Sequence, residues 1–206
     1  PILGTPALSF SLSGARRSGW LSPTPGVGSR TGPELVVPYY FNIAPNRDLT
    51  LFPKIITRRG FQLGAHARYL GETDGGLYQG DTYLEYLPHD KKYVPEKPGG
   101  STDRWTVKST HKQDLTEDWS YAWSLRAASD NNYPNDFSKT VSSSTERQLL
   151  RELRTDYHGD IWSLTARVQK YQVLQDPASV TDASLFVSRP YDRLPAVNFH
   201  AAQYDV

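Results

Sequence analysis

The chain of 206 residues has no cysteine, no methionine and no excess of charge of either sign beyond 23 Lys and Arg against 22 Asp and Glu. Each absence excludes something. Without cysteine there is no disulfide framework, thiolate metal site or thiol nucleophile within this stretch. Without methionine, Pro1 is not a translation start, and the expectation is a processed chain or an internal piece of a longer one. Balanced charge with no long basic run argues against nucleic acid as a partner, because such proteins concentrate cations on one face. The longest apolar runs, such as Leu35–Val37, fall far short of the ~18 to 20 residues of a transmembrane helix. That excludes a helical membrane protein but not a membrane β-barrel, whose strands alternate lipid-facing and lumen-facing residues and so average to a polar sequence.

What is present fits that remaining class. Tyr and Trp dominate the 12% of aromatic residues, beside a mean hydropathy of -0.59. Periodicity is mostly two. Phe61, Leu63, Ala65, Ala67 and Tyr69 alternate with Gln62, Gly64, His66 and Arg68. Trp119, Tyr121, Trp123, Leu125 and Ala127 alternate with Ser120, Ala122, Ser124, Arg126 and Ala128, and Trp162, Leu164, Ala166 and Val168 with Ser163, Thr165, Arg167 and Gln169. These runs match the ~9 to 11 residues of a tilted membrane strand better than the 5 or 6 common in soluble sandwiches.

Turn signals at Ala44–Asp48, Arg59–Gly60, Asp74–Gly76 and His158–Asp160 predict hairpins, and longer loops are expected over Pro88–Asp103, Ser129–Ser144 and Leu174–Leu194. The fold class expected is all-β, an antiparallel meander. Ser143–Glu146 resembles a helix capping box followed by Leu149, Leu150 and Leu153 at helical spacing, so residues 144–156 read almost equally as helix or strand, with strand slightly ahead because of its neighbours. The first 37 residues are rich in Pro, Gly and Ser and read as the end of a separate β domain with a connection.

Signals of chemistry are weak. His66, His89, His111, His158 and His200 never fall at H-x-x-H or H-x-x-x-H spacing. Asp130, Asn131, Asn132, Asn135 and Asp136 are oxygen donors that lack an EF-hand pattern and read better as caps of their own turns. Asp81 and Glu85 share a strand face, as a glycosidase pair or as ordinary polar residues. No cofactor, metal or catalytic residue is assigned, and the chain reads as no enzyme. Proline placement is more informative: Pro38 and Pro53 interrupt the two arms of one predicted hairpin, where proline cannot donate to a ladder. They lie at ordinary edges or bulges, or they mark a weakened place in a closed wall.

The residues themselves resemble a known family. Arg16–Leu21, Pro38–Asp48 (P-Y-Y-F-N-I-A-P-N-R-D), Arg58–Gly60, Arg68–Leu70, Glu85–Asp90, Ser129–Phe137 and Tyr191–Pro195 occur in the order found in the LPS-assembly outer-membrane protein family, LptD, also called OstA or Imp. The resemblance implies the end of a periplasmic β-jellyroll over 1–31, followed over 32–206 by the first strands, roughly nine, of a large antiparallel transmembrane β-barrel in the cell outer membrane. It implies lipopolysaccharide transport through a lateral gate, with Pro38 and Pro53 at the gate. Implied partners are the plug lipoprotein LptE, the periplasmic LPS bridge protein LptA, the lipopolysaccharide substrate and outer-membrane lipid, with no nucleic acid. Lumen-facing candidates are Gln62, His66, Arg68, Ser120, Ser124, Arg126, Arg167 and Gln169, whose cations meet substrate phosphates or form ordinary salt-bridge networks. With the strand near Glu34 rising from the periplasm, the turn at 44–48 is external and the loops 88–103 and 129–144 are periplasmic. A general porin-type channel and a soluble carbohydrate-binding β-sandwich are the rival readings.

Overall fold

The structure is a computed structural model that describes residues 16–95, 98–137 and 146–202. Its regular structure is almost entirely strand: β1 (Gly19–Trp20), β2 (Thr24–Gly28), β3 (Gly32–Val36), β4 (Tyr39–Ala44), β5 (Arg47–Ile56), β6 (Gly60–Thr73), β7 (Gly76–Leu87), β8 (Arg104–Asp114), β9 (Trp119–Ala128), β10 (Gln148–His158), β11 (Trp162–Val173) and β12 (Arg193–Ala201). One short helix, α1 (Tyr133–Phe137), and two 3-10 turns interrupt them. No described helix is long and apolar enough to cross a membrane, which says nothing of a β-barrel.

All twelve strands join one antiparallel sheet in the order β1-β4-β5-β6-β7-β8-β9-β10-β11-β12, with β2 on β3 and β3 on β5. The sheet is open. β1 and β2, which fall within the segment expected to close a separate domain, pair here with β4 and β3; residues 1–15 lie outside the described ones. The segment with a helical alternative forms strand β10, paired along its whole length with β11, so its cross-strand partners outweigh the local helical spacing. Of the resembled capping box, only Glu146 is described, and it pairs with Arg126.

Register threads one polar and one apolar face through the sheet. Arg68, Asp81, Thr110, Ser124, Glu152 and Gln169 stand opposite one another in a continuous row from β6 to β11. The other face exposes Ile55, Leu63, Leu84, Leu125, Leu153 and Val168. A soluble protein leaves so wide an apolar surface uncovered only at a cost, whereas lipid contact removes it from water. Buried apolar side chains are few; one small cluster of Ala128, Tyr133, Leu149 and Leu174, with Phe137 against it, sits at the end of the sheet that carries the long loops.

Candidate functional site

The first long antiparallel arm is broken into β3 and β4 at Val37 and Pro38, and both pieces pair with β5. Val36 pairs with Lys54 and Tyr39 with Leu51, so the register runs straight across the gap and sets Val37 opposite Pro53 and Pro38 opposite Phe52. Val37 N donates to the Pro53 carbonyl at 3.0 Å, and Leu21 N donates to the Pro38 carbonyl at 2.9 Å. The reciprocal bond is missing in both cases because proline has no N–H.

In an antiparallel strand the N–H and C=O of one residue point to the same side. Pro53 therefore lacks its donor towards the β3–β4 arm, and Pro38 lacks its donor on the opposite side, towards the open edge. The sequence expectation that both weaken a single ladder is corrected: one weakens the ladder to β5, the other the edge. Each missing bond removes about 0.5–1.5 kcal/mol of net pairing. Pairing between β5 and β6 continues past Pro53, which stands opposite Leu63.

Among the described residues, little covers that edge. The two-residue β1 pairs with Tyr39 and Tyr40, Trp20 meets the Tyr39 ring edge-on at 4.9 Å, and Asn42 reaches Ser18 Oγ and the Arg16 carbonyl, both at 2.8 Å. On the polar face, charge lies to either side of the break. Asp48 accepts from Arg68 at 3.0 and 2.8 Å and also from Arg16, and Lys54 pairs with Glu34 at 3.0 Å. Between them β5 presents Thr50 and Phe52.

The root of β3 is held more firmly. Thr57 donates its amide and hydroxyl to the Pro33 carbonyl, Arg58 reaches Ser29 O at 3.1 Å, and Arg30 reaches Asn135 O at 2.6 Å. Gly32 has φ +74, and a Cβ there would stand 2.9 Å from the Arg58 side chain, so only glycine fits.

All eight residues predicted from the sequence to line a lumen fall on the polar face. Gln62 is 1% exposed beneath Tyr133, to whose hydroxyl its Nε2 donates at 3.0 Å, so it is closed to a large ligand. His66 bonds Asp81 at 2.8 Å, Arg68 holds Asp48, Arg126 holds Glu146, and Arg167 has only a 4.0 Å contact with Glu152. Ser124 stands between Thr110 and Glu152, Ser120 accepts at its carbonyl from Thr155, and Gln169 donates to Tyr171 at 2.8 Å. Most of the cations are thus already paired with carboxylates. Asp81 and Glu85 share this face but turn to different partners: Asp81 to His66, Glu85 to Tyr83 and Tyr133.

Sequence reasoning missed the most deeply buried polar group. Arg104, 0% exposed, donates to Asp130 at 2.9 and 2.7 Å, to Asp90 at 3.1 Å and to Asp136 at 2.6 Å. Arg59 adds contacts to Asp90 at 2.6 Å and Asp136 at 3.1 Å, and the Tyr93 and Phe137 rings lie 4.5 and 4.9 Å from the Arg104 guanidinium. This cluster fastens both long loops to the strand ends. It brings Tyr133 of α1 over the polar face, where its hydroxyl donates to Glu85 at 2.8 Å. The available signal was the complement of three loop aspartates with arginines at the start of β8 and in the β5–β6 turn. Asp130 and Asp136, weighed as calcium ligands, spend their oxygens on Arg104.

The apolar face also carries an unexpected polar strip towards the hairpin end. Tyr69 bonds His111 Nδ1 at 2.8 Å, Tyr121 lies 3.2 Å from His111 Nε2 and donates to Gln113 at 2.8 Å, and Trp123 stacks on His111 at 4.1 Å. The Tyr69 ring lies where a Cβ on Gly80 would stand, 2.2 Å from its Cζ, so the glycine lets the ring lie flat on the wall.

Comparison with known proteins bears on this arrangement. Residues 102–206 match the family described as LptD, LPS transport system D. Over its whole length the chain is 38% identical to the LPS-assembly protein LptD of Ralstonia nicotianae and 39% identical to that of Bordetella pertussis, covering 23% and 24% of them. It is 41% identical to the LPS-assembly protein LptD of Cupriavidus necator, again over 23% of that protein. The chain therefore spans about a quarter of the length of the curated relatives it matches.

Proposed function

The chain belongs to the LptD family of the LPS transport system, and from that premise we propose that it forms the first part of a lipopolysaccharide-exporting wall in the outer membrane. The apolar face meets lipid and the polar face lines a lumen. The saccharide of the substrate travels along the polar face while its acyl chains leave sideways through a seam at the β3–β4 edge. A periplasmic jellyroll precedes the wall, a plug lipoprotein (LptE) sits inside it, and a periplasmic bridge protein (LptA) delivers the substrate.

The observation that carries this reading is the split role of the two prolines. Pro53 loosens the β3–β4 arm from β5 at Val37, and Pro38 deprives the open edge of a donor, so the arm that would close a barrel is weakly held on both sides at one level. Physically, the seam separates two problems: a bilayer core rejects a charged saccharide, and a polar lumen rejects acyl chains. The wall needs no reaction chemistry, only an opening whose closure is worth a few hydrogen bonds.

The test is photo-crosslinking in cells, with a crosslinking side chain placed in the full-length protein at Phe52, on the polar face at the break, or at Leu125, on the apolar face at the long-loop end and four strands away. Capture of lipopolysaccharide at Phe52 and none at Leu125 is expected. Equal capture at both, or none at Phe52, contradicts the reading.

A further inference from the structure

At the loop end of the sheet, Tyr86 of β7 and Trp105 of β8 stand opposite each other on the apolar face and open a hollow of about 390 Å³. Tyr93, Ser101, Asp103, Ser129 and Asp130 complete its lining. Aromatic rings with a carboxylate among them are the chemistry that recognises an ammonium group, through the ring quadrupole and charge together. The two carboxylates differ. Asp130 is committed to Arg104, whereas Asp103 accepts from the Tyr86 hydroxyl and the His89 amide, each at 3.0 Å. The one basic side chain within ion-pair reach of Asp103 among the described residues is His89, whose Nδ1 lies 3.5 Å away. The His89 amide, before other causes, holds the Asp103 carboxyl below its ordinary 3.8, so it is ionised at neutral pH. Its charge is therefore largely uncompensated by lysine or arginine.

Location narrows the ligand. The hollow lies where the outward apolar band ends, and Trp and Tyr at such a boundary sit at headgroup level. We propose that this hollow binds the primary ammonium headgroup of a zwitterionic phospholipid of the phosphatidylethanolamine type, with its acyl chains along the outward face of β7 and β8. The ammonium sits between the Trp105 and Tyr86 rings and pairs with Asp103. The exposed Lys92, next to Tyr93, offers charge for the lipid phosphate. The inference rests on the reading that this face meets the bilayer, and on nothing about export.

The test is native mass spectrometry of the full-length protein released from detergent micelles doped with phosphatidylethanolamine or with phosphatidylglycerol. The wild type retains phosphatidylethanolamine at least tenfold better than phosphatidylglycerol. Asp103→Asn and Trp105→Ala lose that preference, and Tyr86→Phe, which keeps the ring, retains it. Equal retention of the two lipids by the wild type, or an undiminished preference in Asp103→Asn, overturns the proposal. Heat-modified electrophoretic mobility of each variant reports folding, and surface lipopolysaccharide is measured in the same strains. Lost lipid preference with intact export supports the site; absent preference in a wild type that still exports refutes the site and leaves the exporter reading standing.

Discussion

Replacing Arg104 with methionine probes the buried loop-end cluster most severely. The guanidinium makes four charge-assisted bonds to three carboxylates, all within 3.1 Å. Asp90 and Asp136 keep Arg59 after the substitution, but Asp130, 8% exposed, loses the one cation paired with it among the described residues. The cost is not four separate bonds. It is the penalty of leaving one carboxylate buried and unpaired, about 3–5 kcal/mol. Arg59→Met leaves every aspartate with Arg104 and costs clearly less. Arg104→Lys fails to rescue, because a point charge does not reproduce the planar fork that reaches three partners. With a urea dependence of about 1–3 kcal/mol per molar, the Arg104→Met midpoint falls by about 1 M or more. The assay is equilibrium unfolding of the full-length protein in micelles followed by tryptophan emission. A change under about 1 kcal/mol, or a larger loss in Arg59→Met than in Arg104→Met, refutes the reasoning.

Two further outcomes follow from the loops. An impermeant thiol reagent leaves a cysteine at Ser101 unlabelled on intact cells and labels it after the outer membrane is opened; strong labelling of intact cells reverses the assignment of the long loops to the periplasmic side. Because the folded Asp103 carboxyl lies below 3.8, its bonds to the His89 amide and Tyr86 hydroxyl stabilise the loop fully above that value and are lost only as pH falls through the lower folded value. A spin label at Ser101 keeps one mobility from pH 7 to about 4 and loosens below; loosening near pH 6 contradicts this.

The strands were legible because their constraint is local. Phe61 to Tyr69 and Trp162 to Val168 alternate throughout and Trp119 to Ala127 breaks the pattern only at Ala122, and a one-residue slip would put a whole face into the wrong medium. The same alternation picked out all eight lumen candidates strand by strand, and the register then set them on one face. Residues 144–156 were ambiguous since Leu149, Leu150 and Leu153 satisfy two periods; pairing of β10 with β9 and β11 decides it. The Arg104 cluster was not legible because its members lie in two loops and two strand ends, brought together only when the loops fold onto one end of the sheet. The polar strip around His111 was hidden for a different reason: Tyr69, Tyr121 and Trp123 count as apolar in any alternation, yet the two tyrosine hydroxyls bond His111 and the Trp123 indole donates to Ser109. The prolines were found by sequence, but the side to which each lacks a donor needed the register.

That direction gives the account its most direct test. In cells that depend on the full-length protein, Pro53→Val supplies a donor to the Val37 carbonyl and Pro38→Val supplies one to the open edge. Surface lipopolysaccharide is measured for each single variant and the double. The account predicts reduced export in each and the greatest loss in the double, with protein abundance and mobility unchanged. Wild-type levels in all three would contradict the claim that this break is the seam.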